Sequence, residues 1–96
     1  MPELTEAQRN IAKRIMHQHF PGRRVHVFGS RATGVTKPWS DLDLAILGEA
    51  PLGDLPLAEA RADFEESDLP FQVDLVPWRD LSSVLQQHVL RKGVPL

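Results

Sequence analysis

The residues with the clearest capacity for chemistry are a Gly29-Ser30 pair, an Asp41-Leu42-Asp43 triplet that follows after ten intervening residues, and a later carboxylate at Asp74. The run Asp41-Leu42-Asp43-Leu44-Ala45-Ile46-Leu47 alternates and then turns wholly apolar, as a central strand does when it passes from a solvent-facing end into a core. Side chains two apart on a strand share a face, so Asp41 and Asp43 project together while Leu42 and Leu44 enter the opposite layer. Phe71-Gln72-Val73-Asp74-Leu75-Val76 reads as a further strand, stopped by Pro77. If the two strands are neighbours, Phe71, Val73 and Leu75 face the core and Asp74 stands on the side of Asp41 and Asp43. Carboxylates held that close repel and cost stability unless protons or cations neutralise them. The pattern therefore suits a hard divalent cation. Mg²⁺ is the natural occupant and Mn²⁺ also fits, because such ions take a few carboxylate oxygens and complete their shell with water and phosphate. The competing reading makes the three acids unrelated polar positions on half-exposed strands, and the rarity of aspartate within strands counts against it.

Gly29-Ser30 follows directly on a short strand from Arg23 to Phe28, marked by alternating Val25 and Val27. A glycine there lets the backbone approach a phosphate, and a serine adds a hydroxyl and an N–H donor. Alone, Gly-Ser is a common turn, and its weight comes from the acids downstream. Arg31 and Lys37 can neutralise phosphate charge, and the loop around them, with Gly34 and Pro38, is long enough to form a mobile rim. The plainer reading of both is as ordinary loop charges.

Other elements must hold these pieces in place. Leu4, Ala7, Ile11 and Ile15 recur at helical spacing, with Thr5 and Gln8 as a capping box, which predicts a helix from Thr5 to about His19, ended by Phe20-Pro21-Gly22. Residues 48–56 carry Gly48, Pro51, Gly53 and Pro56 and read as a loop before a short acidic helix with Leu57, Ala60 and Phe64 on one face. Asp80 is expected to cap a last helix carrying Leu81, Val84, Leu85, His88 and Val89 inward, ended by Gly93. The order helix, strand, strand, helix, strand, helix predicts an α+β fold, an α/β sandwich with a small mixed sheet and helices packed on one side.

With 96 residues, 42% of them hydrophobic and 25% charged, the chain is expected to form a single domain spanning 1–96. It has no cysteine, which excludes a disulfide scaffold and a thiolate metal site and agrees with a cytoplasmic location. Its opening Met-Pro-Glu-Leu-Thr-Glu is unlike a signal peptide, and its longest aliphatic run, Leu44 to Leu47, is far too short to cross a membrane. The net charge of −2 hides an asymmetry: residues 1–40 hold seven Lys or Arg against two acids, and residues 41–96 hold four against eleven. A basic first half suits anions and an acidic second half suits cations.

Gly29-Ser30-Arg31-Ala32 followed by Ser40-Asp41-Leu42-Asp43-Leu44, with Val73-Asp74-Leu75-Val76 supplying a third acid, resembles the signature of the DNA polymerase beta-like nucleotidyltransferase superfamily. Within it the chain is similar over nearly its whole length, including Arg91-Lys92-Gly93-Val94-Pro95-Leu96, to the minimal nucleotidyltransferases (MNT) that act as antitoxins of HEPN-domain toxins. It departs from that pattern at Thr33, where many members have a second arginine. The resemblance implies that Gly29 and Ser30, with Arg31 and Ser40, bind the nucleoside triphosphate. It also implies that Asp41, Asp43 and Asp74 are the catalytic acids and ligands of two Mg²⁺ ions. Asp74 would ligate the catalytic ion and help activate the attacking hydroxyl. The implied activity is transfer of AMP from ATP to a hydroxyl, a tyrosine in MNT relatives, of a partner HEPN toxin, in the manner of a type VII antitoxin.

A chain of this length is expected to leave no room for an acceptor-binding domain, so the hydroxyl is expected to come from a partner protein. The sequence suggests neither direct nucleic-acid binding nor a membrane contact, while a homo- or hetero-oligomer stays open. Two alternatives share the motif: an antitoxin that neutralises by binding alone, and an adenylyltransferase of small molecules such as aminoglycosides. His17 and His19 point to different faces of a helix and make a poor zinc site. His88 is expected to be buried or half-buried, His26 to lie on the second face of its strand, and Trp39 to anchor a loop in the core rather than stack on a base.

Overall fold

The reciprocal cap predicted for the first helix forms. In the computed structural model, which describes residues 4–34 and 37–96, the Thr5 hydroxyl accepts the Gln8 N–H at 3.1 Å and Gln8 Oε1 accepts the Thr5 N–H at 3.0 Å. Helix α1 (Glu6–His19) then buries Ala12, Ile15 and Met16. The chain continues through β1 (Val25–Phe28), α2 (Ser30–Thr33), β2 (Leu42–Ile46), α3 (Asp54–Glu65), β3 (Val73–Pro77), a 3-10 turn (Trp78–Asp80), α4 (Ser83–Lys92) and β4 (Val94–Pro95).

The four strands form one mixed sheet in the order β3-β2-β1-β4, with β2 and β3 parallel and β1 antiparallel to both of its neighbours. Alternation along the strands sorts the apolar side chains into two layers. Val27, Leu42, Leu44, Ile46 and Leu75 join Ala12, Ile15, Met16 and Phe20 at α1, and Ala60 and Phe64 of α3. On the opposite face Phe28, Ala45, Leu81 and Val89 form a second, smaller cluster. Helices α1 and α3 thus pack on one side, as expected, while α4 lies against β1 on the other. Leu44 sits at the centre of the larger layer with no exposed surface. Leu44→Ala is expected to cost about 2–5 kcal/mol of stability, measured by urea unfolding, because it opens a cavity between the sheet and two helices.

Two short elements escape any periodic signal: α2, of four residues, and β4, of two. The expectation for the last helix is corrected in detail. Ser82, not Asp80, provides the cap, accepting the Leu85 N–H at 3.2 Å, and residues 78–80 form the 3-10 turn instead. Leu81 and Val89 are buried and His88 is half-buried, but Val84 is 76% exposed and Leu85 43%. Val84 lies five residues from Val89, about 140° away around the helix, so both cannot face the sheet. Pro77 ends β3 from within rather than stopping it before, which costs little at the last position of an edge strand because proline lacks only a donor. Among the described residues no helix is long and apolar enough to cross a membrane.

Candidate active site

The register of the sheet decides how the acids stand. Asp43 is paired with Phe28 on the antiparallel side and with Asp74 on the parallel side. The Leu42 N–H donates to the Gln72 carbonyl at 2.9 Å, which secures the start of β2 against the chain entering β3. Asp43 and Asp74 are therefore directly opposed on adjacent strands, on the face away from the larger core, and Asp41 stands exposed just before β2. Asp43 is half-buried and Asp74 exposed. Burial, then the negative charges of Asp74 and Asp41, push the Asp43 carboxyl up from 3.8 to about 6.

Gly29 brings a second chain segment onto the same carboxylate. Its backbone has φ +74° and ψ −153°, and a Cβ there would run into Asp43 Oδ2. The chain then turns at once into α2, whose first turn closes through Ala32 and Thr33 N–H groups on the Gly29 carbonyl at 3.1 and 3.2 Å. The Thr33 hydroxyl reaches back to the Ser30 carbonyl at 3.3 Å, so this departure from the motif reinforces the turn. A side-chain-free backbone beside a carboxylate of raised affinity for protons, with two further acids close enough to act on it, fits a hard divalent cation and an anionic substrate held by it. Among the described residues no three acids or imidazoles are gathered into a group that could hold a metal ion; Asp43 and Asp74 are opposed, and Asp41 adds its charge to theirs.

The remaining residues singled out in the sequence take other places. Arg31 is only 3% exposed; its Nε donates to the Ser40 carbonyl at 2.9 Å and an Nη to the Pro38 carbonyl at 3.1 Å. Its guanidinium also lies 4.0 Å from the centroid of the Phe71 ring. The side chain expected on phosphate is thus engaged with the loop before β2. Ser40 accepts the Lys37 N–H on its hydroxyl at 2.9 Å and donates its own N–H to the Lys37 carbonyl at 3.0 Å, closing a turn. Trp39 does not anchor a core: it is 68% exposed, with the Lys37 ammonium 5.6 Å from its ring centroid. The loop read as a mobile rim includes residues 35 and 36, which lie outside the described residues.

Of the histidines, His19 Nε2 lies 2.6 Å from Asp63 Oδ2, joining α1 to α3. His26 faces away from the larger core, as expected; burial and the nearby Arg24 lower its pKa.

Residues 9–94 match the family model of the nucleotidyltransferase domain. The chain belongs to the nucleotidyltransferase family. This nucleotidyltransferase is 44% identical over 82 residues to the Probable protein adenylyltransferase MntA of Haemophilus influenzae, covering 85% of this chain and 71% of that protein. Its fold is similar to that of a solved toxin–antitoxin structure with AMP-PNP, at a TM-score of 0.74 and 29% identity, covering 90% of this chain and 69% of the other. It is also similar to a structure of a tri-AMPylated Shewanella oneidensis HEPN toxin in complex with its MNT antitoxin. There the TM-score is 0.66 and the identity 26%, covering 90% of this chain and 66% of the other.

Proposed function

We propose that this nucleotidyltransferase transfers AMP from ATP to a tyrosine hydroxyl of a HEPN-domain partner and thereby acts as an antitoxin, with Asp41, Asp43 and Asp74 holding two Mg²⁺ ions. The observation that carries the reading is the direct opposition of Asp43 and Asp74 across β2 and β3, beside the bare backbone of Gly29. The names of the similar proteins support it, since they include a protein adenylyltransferase and an AMPylated HEPN toxin with its MNT antitoxin.

In the reaction the acceptor oxygen forms a bond to the α-phosphorus of ATP as the bond to pyrophosphate breaks. The metal ions, when bound, lower the pKa of the acceptor hydroxyl and steady the leaving pyrophosphate. The chain's own residues place these partners. Gly29, lacking a side chain, and the Ser30 hydroxyl and N–H hold the triphosphate close to the acids. Asp41 and Asp43, at the start of β2, would hold the ions that grip the triphosphate, and Asp74, on the neighbouring strand, would ligate the catalytic ion and help activate the acceptor hydroxyl. Asp41 and Asp74 are exposed, so an acceptor carried by another protein can reach them. A cysteine-free chain that consumes ATP fits a cytoplasmic location.

The test is to incubate the protein with ATP labelled in its adenosine, Mg²⁺ and a HEPN-domain protein as acceptor. Label is expected on the partner's tyrosine with the native chain, and none after EDTA or with the Asp41→Ala, Asp43→Ala double variant. Tight binding and inhibition of the partner with no transfer of label would replace this reading with that of an antitoxin acting by binding alone.

A further inference from the structure

We infer that Arg31 is a positioning residue that sets the geometry of the acid site, rather than a ligand of the nucleotide phosphates. The inference rests on the proposed reading only in taking the three acids as cation ligands. A guanidinium buried to this degree must have its donors occupied, and its fork suits two acceptors at once. Here Nε and an Nη hold the carbonyls of Ser40 and Pro38, immediately before Asp41. The flat face of the same group covers Phe71, three residues before Asp74, and Gln72 between them accepts the Leu42 N–H. Arg31 itself sits in α2, next to Ser30. One side chain therefore joins the Gly29-Ser30 turn, the entrance to β2 and the entrance to β3, the three segments that carry the proposed ligands.

A lysine keeps the charge but offers a single ammonium in place of the planar fork, so it cannot hold both carbonyls and cover the ring together. Residues that orient metal ligands characteristically change metal affinity by about 10–100-fold when altered. The experiment compares the native chain with Arg31→Lys and Phe71→Leu, each checked for folding by far-ultraviolet circular dichroism. Mn²⁺ binding without nucleotide is followed by electron paramagnetic resonance, and kcat and the KM for ATP are measured with the HEPN partner. Arg31→Lys is expected to weaken nucleotide-free Mn²⁺ binding about tenfold and lower kcat by at least about tenfold, with the KM for ATP held within about twofold. Phe71→Leu shifts Mn²⁺ affinity and kcat in the same direction by less.

A rise in the KM for ATP with unchanged kcat and Mn²⁺ affinity would make Arg31 a phosphate ligand and overturn the inference, as would no change in any of the three. Should Arg31→Lys fail to fold, Phe71→Leu decides, and unchanged Mn²⁺ affinity in that variant overturns it. If the native chain transfers no AMP yet Arg31→Lys still weakens Mn²⁺ binding, the proposed activity falls and the positioning role stands. If the native chain binds no Mn²⁺ at all, the positioning role falls whatever the partner assay shows.

Discussion

Asp43→Asn is expected to reduce AMP transfer to the partner about 10³-fold, the scale of removing several kcal/mol of metal-borne charge stabilisation, while making the metal-free protein more stable at pH 7.5. The two effects share a cause. Burial and the charges of Asp74 and Asp41 raise the Asp43 carboxyl to about 6 in the folded chain, against 3.8 without the fold. Well below pH 3.8 the group is protonated in both states and carries no penalty; between 3.8 and about 6 the unfolded chain gives up the proton while the folded chain keeps it, so stability falls across that window and levels off above 6. At full strength a displacement of about two units corresponds to ~3 kcal/mol, but Asp43 is half exposed and solvent screening reduces this to ~1 kcal/mol.

For a domain of this size ~1 kcal/mol shifts the melting temperature by about 4–8 °C. Calorimetry should therefore show Asp43→Asn melting several degrees above the native chain at pH 7.5, with the gap closing by pH 4. Mg²⁺ should raise the native melting temperature at pH 7.5 and leave the variant nearly unmoved, because binding to the folded state alone stabilises it. A gap of equal size at both pH values would trace the difference to packing and remove the electrostatic account of the site.

Gly29→Ala is the second large effect, and it acts on backbone and charge together. With φ +74° and ψ −153°, position 29 lies in a region essentially reserved for glycine, where another residue costs about 1–3 kcal/mol. The added methyl also meets Asp43 Oδ2, so the turn or the carboxylate must move. Urea unfolding is expected to show a loss of about 2–4 kcal/mol, and AMP transfer should fall to near the level of the Asp43 variant. Ser30→Ala, which leaves the backbone free, should retain far more activity. The collision can be isolated by a double-mutant cycle. In an Asp43→Ala background the stability cost of Gly29→Ala should shrink to the backbone component alone. An undiminished cost would mean that the carboxylate does not press on the turn.

Much of this site could be read along the chain, and the part that could is local. Alternation over Asp41 to Ile46 and over Val73 to Val76 places Asp41, Asp43 and Asp74 off the core whatever the strands pair with, since a strand repeats every two residues. The Thr5–Gln8 cap likewise involves residues three apart. The parallel register that opposes Asp43 to Asp74 is a different matter, because it depends on segments some thirty residues apart. Pairing of β4 with β1 and the packing of α4 on the acid-bearing face of the sheet are equally remote from any short window of sequence.

Arg31 shows the division most sharply. In the chain it is a charged residue after Gly-Ser, with every sign of belonging to solvent or phosphate. In the fold, carbonyls at Pro38 and Ser40 and a ring at Phe71 satisfy its donors and its face, and it becomes an interior strut. Periodicity determines which way a side chain points, but whether a buried charge finds its partners is decided by atoms that only tertiary structure brings within reach.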